Sequence, residues 1–313
     1  MSLHIIQPGL QTSIQSVGRP GLMRWGVARG GAADTFAMAL GNLLLGNPIA
    51  HPGIEVALTG PEIEFTTDVS IAVTGARFDL SHNENAVPNN AVLNMAAGDR
   101  LRFGALKSGA RAYLALAAEI DLAPVFGSVS THLISGFGGL NGRSLRTGDH
   151  VPLRHCRYVA PRELPPQFRL DYRTRPLIRV VPGCEAGYFS AEALSAFHHG
   201  GFAVSPQSNR MGIRLTGEPL ATTDLPQLVS SALCPGTVQV PPNGLPIISF
   251  VEGQTIGGYP RIAHVISADL HRLGQLQANQ RLDFEPISQE NARQILRDKV
   301  RLLSELPDKL QPN

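Results

Sequence analysis

Short apolar runs separated by glycine and proline are the feature that most restricts how this chain can fold. Its 313 residues include 32 glycines and 24 prolines, and the apolar runs between them are brief, as at residues 71–73, 112–118 and 246–251. Runs of this length, bounded by turn residues, are typical of strands in a β-barrel or β-sandwich. We therefore predict a mainly β fold.

Three segments depart from this pattern and predict helices. Asp34 fits a helix N-cap, because apolar residues at helical spacing follow it until Gly46. A short second helix is expected to begin near Ser190. An amphipathic third helix is expected from Ser288 to about Leu306, where we expect it to lie on the body of the protein.

The composition changes between residues 156 and 176, where prolines and arginines replace periodic apolar residues. This change favours a linker between two domains of comparable size. We predict a first domain at 1–155, a linker at 156–176, a second domain at 177–287, and a C-terminal helix and tail at 288–313. Each half has a helix and a later glycine-rich loop, which leaves a weak internal duplication open.

Charge and cysteine usage exclude several classes of protein. The net charge is +2 and the basic residues are scattered, so no nucleic-acid partner is expected. The cysteines at 156, 184 and 234 are too widely spaced for a disulfide framework or a thiolate zinc site, which favours a cytoplasmic protein. No apolar run is long enough for a membrane span, and no signal-peptide pattern opens the chain.

Common catalytic motifs are also missing from the sequence. It has no Gly-Lys dipeptide for a P-loop, no His followed by Glu for a zincin motif, and no G-x-S-x-G. The glycines at 136–142 are out of register for a dinucleotide fingerprint and predict a loop. Because no methionine precedes a lysine, we expect no biotin on this chain.

Four polar, glycine-rich stretches remain as candidates for one binding cleft. They are QTSIQSVGRPG at 11–21 with GGAAD at 30–34, FGSVST at 126–131 with the glycines at 138–142, SPQSNRMGIRL at 205–215, and GQTIGGYPRI at 253–262 with its continuation to 269. Each combines glycine with amide, hydroxyl or guanidinium groups. A structural interpretation stays open for each, with Asp34 as an N-cap, Asn209 in a left-handed conformation, and Gly257-Gly258 as a tight turn.

The same stretches resemble the KipA, or allophanate hydrolase subunit 2, family. The resemblance is carried, in order, by QTSIQSVGRPG, GVARGGAAD, NLLLGN, GIEVALTGP, FGSVST, GGLNGRSLRTGD, SNRMGIRLTG, PGTVQVPPNGLPI and QTIGGYPRIAHVISADL. It runs from about residue 5 to residue 284. Within the family, it is greatest to the members that belong to bacterial ATP-dependent 5-oxoprolinases.

The resemblance implies two cyclophilin-like β-barrel domains and a heterodimer or heterotetramer with a KipI-like protein. A LamB/YcsF-like protein would be the third component. The implied reaction converts 5-oxo-L-proline, ATP and water to L-glutamate, ADP and phosphate, with ATP and Mg²⁺ acting in the assembled complex and the single chain inactive. Two alternatives stay open: the carboxyltransferase part of a biotin-dependent urea or amide carboxylase, and a non-catalytic KipI-binding regulator.

Phosphorylating a lactam oxygen makes an imidate phosphate that water can open, which requires positioning and charge neutralisation. From the matched motifs, the resemblance makes Arg19, Arg210 and Arg214 candidates to hold the phosphoryl group or substrate carboxylate. It makes Asp34 or Asp269 a candidate to bind Mg²⁺ or orient water. The candidates for substrate binding are Gln15, Arg19, Gly31, Ser208, Asn209, Arg214, Gln254, Thr255, Gly257, Gly258 and Tyr259.

Some positions depart from the pattern of the family. Ser16 stands where relatives usually carry Asp, Glu252 replaces an Asp, and Cys184 stands where a Pro is common. A serine cannot supply the formal charge of an aspartate. The change at position 16 is therefore the one expected to alter the chemistry most.

Overall fold

The computed structural model describes residues 1–170, 172, 175–221 and 228–310. The chain divides into two compact units whose main boundary falls inside the predicted linker. The first unit comprises Met1–Arg19, Gly30–Tyr172 and Leu302–Asn313, and the second comprises Pro20–Arg29 and Arg173–Arg301. The prediction of a mainly β fold is confirmed, because each unit is built on a curled sheet.

The sheet of the first unit has ten strands among the described residues, in the order β2-β3-β8-β4-β1-β10-β9, with β5 pairing β6, β7 and β8. The strands are β1 (Ser2–Gln7), β2 (Gln11–Gln15), β3 (Gly53–Ala57), β4 (Glu62–Phe65), β5 (Val69–His82), β6 (Asn85–Val87), β7 (Val92–Met95), β8 (Arg100–Leu116), β9 (Glu119–Ile120) and β10 (His150–Arg154). The pairings are antiparallel. Register shifts between β5 and β8 bend the long strands, and residues such as Ile14, Ile54 and Leu114 fill the core.

Helix α1 (Thr35–Leu44) confirms the first helix prediction. The Asp34 side chain accepts a hydrogen bond from the backbone N–H of Ala37 at 2.8 Å, as expected of an N-cap. Gly46 follows the helix with a φ of +69°. The buried face of α1 packs with apolar residues from β5 and β8.

Residues 156–170, which the sequence analysis assigned to a linker, pack onto the first unit. The backbone N–H of Val92 donates to Arg162 O at 2.9 Å, and that of Leu164 donates to Asn90 O at 2.7 Å. Leu164 and Phe168 are buried against α1. The few apolar residues of this segment show no period in the sequence, and contacts with distant elements hold them in place.

The second unit has a seven-stranded sheet among its described residues, in the order β12-β13-β16-β15-β18-β11-β19, and a separate two-stranded ladder of β14 and β17. The strands are β11 (Leu177–Pro182), β12 (Ala203–Val204), β13 (Gly212–Thr216), β14 (Ser231–Ala232), β15 (Thr237–Gln239), β16 (Ile247–Ser249), β17 (Ile256–Gly257), β18 (Arg261–Val265) and β19 (Asp283–Pro286). Only β11 and β19 are parallel among these pairings.

Three helices lie in the part of the chain that follows β11. Helix α2 (Ala191–His199) begins after Ser190, which caps it, and α4 (Gln289–Lys309) spans 21 residues near the C-terminal end; both predictions are confirmed. Helix α3 (Leu270–Leu273) was not predicted, because four residues show no helical period. No helix in the described part of the chain has the length and hydropathy that a membrane span requires.

Candidate functional site

The candidate residues fall into two sets, one in each unit. The first unit holds Gln15, Arg19, Gly31 and Asp34, and the second holds the other ten. Within the first unit, the stretch at 11–21 meets the stretch at 126–131, where Thr131 N donates to Ile14 O at 2.9 Å. Within the second unit, the stretch at 205–215 meets residues 250–253, where Phe250 N donates to Met211 O at 3.0 Å. Two pairs of stretches are therefore in contact, one pair in each unit.

Arg19 is a buried guanidinium, with only 1% of its surface exposed. Its Nε donates to Val125 O at 3.0 Å, and its Nη2 donates to Ser130 O at 2.7 Å and to Ser128 O at 3.3 Å. Its Cζ lies 4.7 Å from the centre of the Phe137 ring. These contacts fix a positive charge against the loop that carries the second candidate stretch.

Three serines, which we call the serine cluster, lie beside this guanidinium: Ser16, Ser128 and Ser130. The Ser16 Oγ lies 2.8 Å from Ser130 Oγ and 3.1 Å from Ser128 Oγ, and the Ser16 N–H donates to Ser130 Oγ at 2.8 Å. All three are buried. Ser128 and Ser130 were not among the candidate residues, although the FGSVST motif contains both. Position 16 of this chain therefore lies in a neutral hydroxyl network.

Gln15 is fully buried at the end of β2. Its Nε2 donates to Ser13 Oγ at 3.0 Å and to Thr131 O at 3.1 Å. Its Oε1 has no hydrogen-bond partner in the described part of the protein. A buried amide oxygen in this state is usually satisfied by water or by a ligand.

Gly31 allows the loop at 30–34 to close on residues 16–18. Its φ is +85°, and a Cβ atom at this position would lie 2.5 Å from Gly18 N and 2.7 Å from Ser16 O. The neighbouring Ala32 N–H donates to Ser16 O at 2.8 Å. Only glycine fits both the left-handed backbone and this close approach.

A buried network anchors Asp34 from two sides. The Asp34 N–H donates to Tyr113 OH at 2.7 Å, and Tyr113 OH donates to Glu55 Oε2, also at 2.7 Å. The Ala33 N–H donates to the same Glu55 oxygen at 2.8 Å, and Tyr172 OH donates to Asp34 Oδ2 at 3.2 Å. Glu55 and Tyr113 were missed, and the only signal was a single acid inside the apolar run GIEVAL. Asp34 is thus a structural cap as well as a catalytic candidate.

The two tyrosines of this network stay protonated. Burial raises the pKa of Tyr113 well above its usual value, and the charges of Glu55 and Asp34 add to the effect. Burial and the Asp34 charge raise the pKa of Tyr172 in the same direction. Both hydroxyls therefore act as hydrogen-bond donors over the ordinary pH range.

In the second unit, Arg210 forms a buried ion pair with Glu252. Each residue is 3% exposed, and Arg210 Nε donates to Glu252 Oε1 at 2.5 Å. The Glu252 N–H also donates to Arg210 O at 2.8 Å, which ties the two loops together. Arg210 was predicted to hold a phosphoryl group or carboxylate, and Glu252 was noted only as a departure from the family. The structure joins the two residues directly.

Asp269 is fully buried between two arginines. Arg179 donates to Asp269 Oδ2 through its backbone N–H at 3.0 Å and through Nε at 2.8 Å, and Arg272 Nε lies 3.3 Å from Oδ1. Burial acts to raise the pKa of Asp269, but the hydrogen bonds from Arg179 and the charges of both arginines outweigh it, so the pKa lies below its usual value. No group of three or more metal-ligating side chains is found among the described residues.

Replacing Asp269 with asparagine is expected to lower the free energy of unfolding by about 1.5–3 kcal/mol at pH 7, the contribution of hydrogen bonds to a charged group. The folded pKa is lowered, so the stabilisation is complete above the unfolded pKa of about 3.9 and is lost as pH falls through the folded value. Urea unfolding at neutral and acidic pH measures this. A difference between wild type and variant that does not shrink toward pH 3 would contradict it.

The polar groups of the loop at 205–215 mainly form hydrogen bonds within the loop itself. Ser208 Oγ accepts from Arg214 N at 3.0 Å and donates to Arg214 O at 3.3 Å, while Asn209 Oδ1 accepts from Met211 N at 2.8 Å. Asn209 does not have a positive φ, so the left-handed interpretation is wrong; its side chain closes the turn instead. The Arg214 side chain is exposed.

The GQTIGGYPRI stretch contains a strand where a tight turn was expected. Gly257 pairs with Ser231 in the β14–β17 ladder, and Leu233 N donates to Thr255 O at 2.9 Å. A Cβ on Gly257 would lie 2.6 Å from Leu233 Cδ1, so a larger residue here would displace the end of the Leu233 side chain. The tight-turn interpretation is therefore wrong.

The side chains around this ladder differ in exposure. Gln254 is exposed, Tyr259 is 46% exposed, and Thr255 and Gly258 are half-buried. Among the candidate side chains of the second unit, Arg214, Gln254 and Tyr259 can therefore reach a ligand without rearrangement, whereas Arg210 and Asp269 cannot.

The fold and these stretches define a carboxyltransferase-type protein. Residues 25–286 match the family described as "Carboxyltransferase domain, subdomain A and B", and the chain belongs to that family. It is 40% identical to the C subunit of the Escherichia coli 5-oxoprolinase over 304 residues, which cover 97% of each chain. It is 34% identical to the protein of the same name from Haemophilus influenzae, over 94% of each chain.

A solved structure shows the same fold. The urea amidolyase of Kluyveromyces lactis superimposes on this chain with a TM-score of 0.92 and 27% identity. The match covers 100% of this chain but only 21% of that much longer one. The same fold therefore also occurs as one part of a much longer chain.

Proposed function

We propose that this chain is the C subunit of an ATP-dependent 5-oxoprolinase. In this proposal it acts in the cytoplasm with a KipI-like B subunit and a LamB/YcsF-like A subunit, and the complex cleaves 5-oxo-L-proline to L-glutamate with hydrolysis of ATP. The observation that carries the proposal is the 40% identity to the C subunit of the Escherichia coli 5-oxoprolinase over 97% of both chains. The chain alone is expected to be inactive.

The geometry supports different roles for the exposed and the buried candidate residues. 5-Oxoproline presents a carboxylate and a lactam amide, which suit a guanidinium and a carboxamide. Exposed Arg214 and Gln254 can offer these groups, with Tyr259 a few residues beyond Gln254 in the same stretch. Buried Arg210, through Glu252, supports the loops that carry them. In this scheme Arg210 is a positioning residue, not one that touches substrate.

The two aspartates do not fit a magnesium ion in this arrangement. Asp269 faces two guanidinium groups, which repel a cation. One carboxylate oxygen of Asp34 accepts a hydrogen bond at the helix N-terminus, and the other accepts one from Tyr172. We therefore assign ATP and Mg²⁺ to the assembled complex and derive no step through them on this chain.

The test is reconstitution of the purified chain with both partner proteins, followed by measurement of glutamate released from 5-oxoproline. We expect release that needs ATP and all three proteins. Replacing Arg214 with alanine should lower kcat/KM by about 10- to 100-fold, the effect of losing one charge-assisted hydrogen bond. Arg297, an exposed arginine on α4, is the matched control and its alanine variant should keep full activity. No release with saturating partners would refute the proposal.

One observation favours a second candidate function. The full-length match to a segment of the Kluyveromyces lactis urea amidolyase, at a TM-score of 0.92, fits a carboxyltransferase component that works with biotin on urea or a similar amide. Biotin would then be carried by another protein. Carboxylation of urea in the presence of a biotinylated carrier, without glutamate release from 5-oxoproline, would favour this function.

A further inference from the structure

A thiol and an imidazole that are not among the candidate site residues lie close together in the second unit. Cys234 Sγ lies 3.9 Å from His264 Nε2 and 4.0 Å from Nδ1, at the outer limit of hydrogen bonding to sulfur. Thr237 Oγ1 lies 3.3 Å from His264 Nδ1 and 3.7 Å from Cys234 Sγ. We call these three residues the thiol cluster.

The sheet fixes the position of the imidazole. His264 on β18 is the cross-strand partner of Thr237 on β15, and Val181 on β11 flanks it on the other side. Burial lowers the pKa of His264, so its ring is neutral at pH 7 and can accept a proton. The Cys234 thiol is exposed, so reagents in solution can reach it. A neutral imidazole next to an accessible thiol is the arrangement that activates cysteine nucleophiles.

A fixed positive charge lies near the same thiol. Arg261 donates through its backbone N–H and Nε to Glu185 Oε2, and its Nη1 donates to Ala232 O at 3.3 Å, two residues before Cys234. Hydrogen bonds to Glu185 are the main cause of the raised pKa of Arg261, and the charges of Cys184 and Cys234 contribute to it. Because Glu185 pairs with this guanidinium, we expect the reactivity of Cys234 to come from the imidazole. Cys184 shares this charge, but no contact between it and an imidazole is found among the described residues.

We propose that Cys234 is a thiol-modification site that reacts with low-molecular-weight disulfides such as glutathione disulfide. His264 takes the thiol proton, and the Cys234 sulfur attacks one sulfur of the disulfide. One S–S bond breaks as another forms, and the second half of the reagent leaves as a thiolate that takes up the proton. The products are a mixed disulfide on Cys234 and one free thiol, so the electrons balance.

The position of Cys234 links this chemistry to the GQTIGGYPRI stretch. Strand β14 ends at Ala232, two residues before the cysteine, and pairs with β17. The next residue, Leu233, donates to Thr255 O at 2.9 Å and closely approaches Gly257. Cys234 therefore directly follows the segment that pairs with the stretch. The reactivity itself does not rest on the proposed function.

The reactivity is tested on the full chain with 5,5′-dithiobis(2-nitrobenzoic acid) and with glutathione disulfide. Two variants each keep one exposed cysteine: Cys156→Ser with Cys184→Ser leaves Cys234, and Cys156→Ser with Cys234→Ser leaves Cys184. We expect Cys234 to react at least about tenfold faster than Cys184, because an imidazole contacts Cys234 and no base contacts Cys184 among the described residues. In urea the two rates should become equal, since the difference comes from the fold.

Adding His264→Gln to the protein that keeps only Cys234 should slow its reaction about tenfold or more, whereas the same change should leave Cys184 unaffected. Mass spectrometry after treatment with glutathione disulfide should locate the adduct on Cys234. Equal rates for Cys184 and Cys234 in the folded protein would overturn the proposal, and this comparison needs no change at His264. An unchanged rate in a folded His264→Gln variant would overturn it as well.

Discussion

Replacing Arg210 with alanine is expected to lower the free energy of unfolding of the second unit by about 3–5 kcal/mol, the usual effect of breaking a buried ion pair from one side. Arg210 and Glu252 are each 3% exposed, so the variant leaves a carboxylate buried without its guanidinium. The tie between the loops at 210 and 252 is weakened at the same time. Urea unfolding monitored by circular dichroism measures the loss.

The control is the double variant Arg210→Met with Glu252→Leu. Replacing both charges by apolar side chains of similar size removes the unpaired carboxylate, so most of the lost stability should return. Arg301 provides a matched comparison, because it pairs with Asp298 at 2.8 Å but its side chain is 69% exposed. Its alanine variant should cost no more than about 1 kcal/mol. A loss of similar size at both arginines would contradict the burial argument.

The same double variant separates two roles for Arg210. If Arg210 touches the transferring phosphoryl group or the substrate, the double variant stays inactive in the reconstituted complex even though its stability has returned. If Arg210 only positions its loop, the double variant recovers activity together with stability. We expect recovery, because the guanidinium is buried and engaged by Glu252.

The features that could be predicted from the sequence are local ones. The caps at Asp34 and Ser190 and the amphipathic pattern of α4 act within a few residues, so they show in the printed sequence. The sequence predicted the long strands only in part. β5 and β8 extend over 14 and 17 residues, but polar residues along them break the apolar runs that the prediction used.

The partners of the site residues could not be predicted, because they are set by tertiary contacts. Arg210 and Glu252 are 42 positions apart, and Arg179 and Asp269 are 90 apart. The motifs selected the candidate stretches but gave no sign that an arginine in them already forms an ion pair. Likewise, Glu55 belongs to the Asp34 network because of a pairing between strands, and no local sequence pattern predicts that pairing.

Replacing Gly31 with alanine is expected to destabilise the first unit by about 1–2 kcal/mol through its left-handed backbone and by about 1–3 kcal/mol more through steric overlap. Its φ is +85°, and the new Cβ would lie 2.5 Å from Gly18 N, a backbone atom that cannot move like a flexible side chain. The loop at 30–34 must then retreat from Ser16. Thermal and urea unfolding both report the change.

Gly98 is the matched control for Gly31. Its φ is +93°, but no atom lies within 4 Å of the Cβ that alanine would add. Gly98→Ala should therefore cost only the backbone strain of about 1–2 kcal/mol, and the difference between the two variants isolates the close approach of the loop to residues 16–18. Equal losses of unfolding free energy in the two variants would mean that the loop at 30–34 moves away from residues 16–18 without a measurable cost. A larger loss at Gly31, with hydrogen exchange accelerated at Ala32 and Ala33, would show that the serine cluster and the Asp34 network depend on this contact.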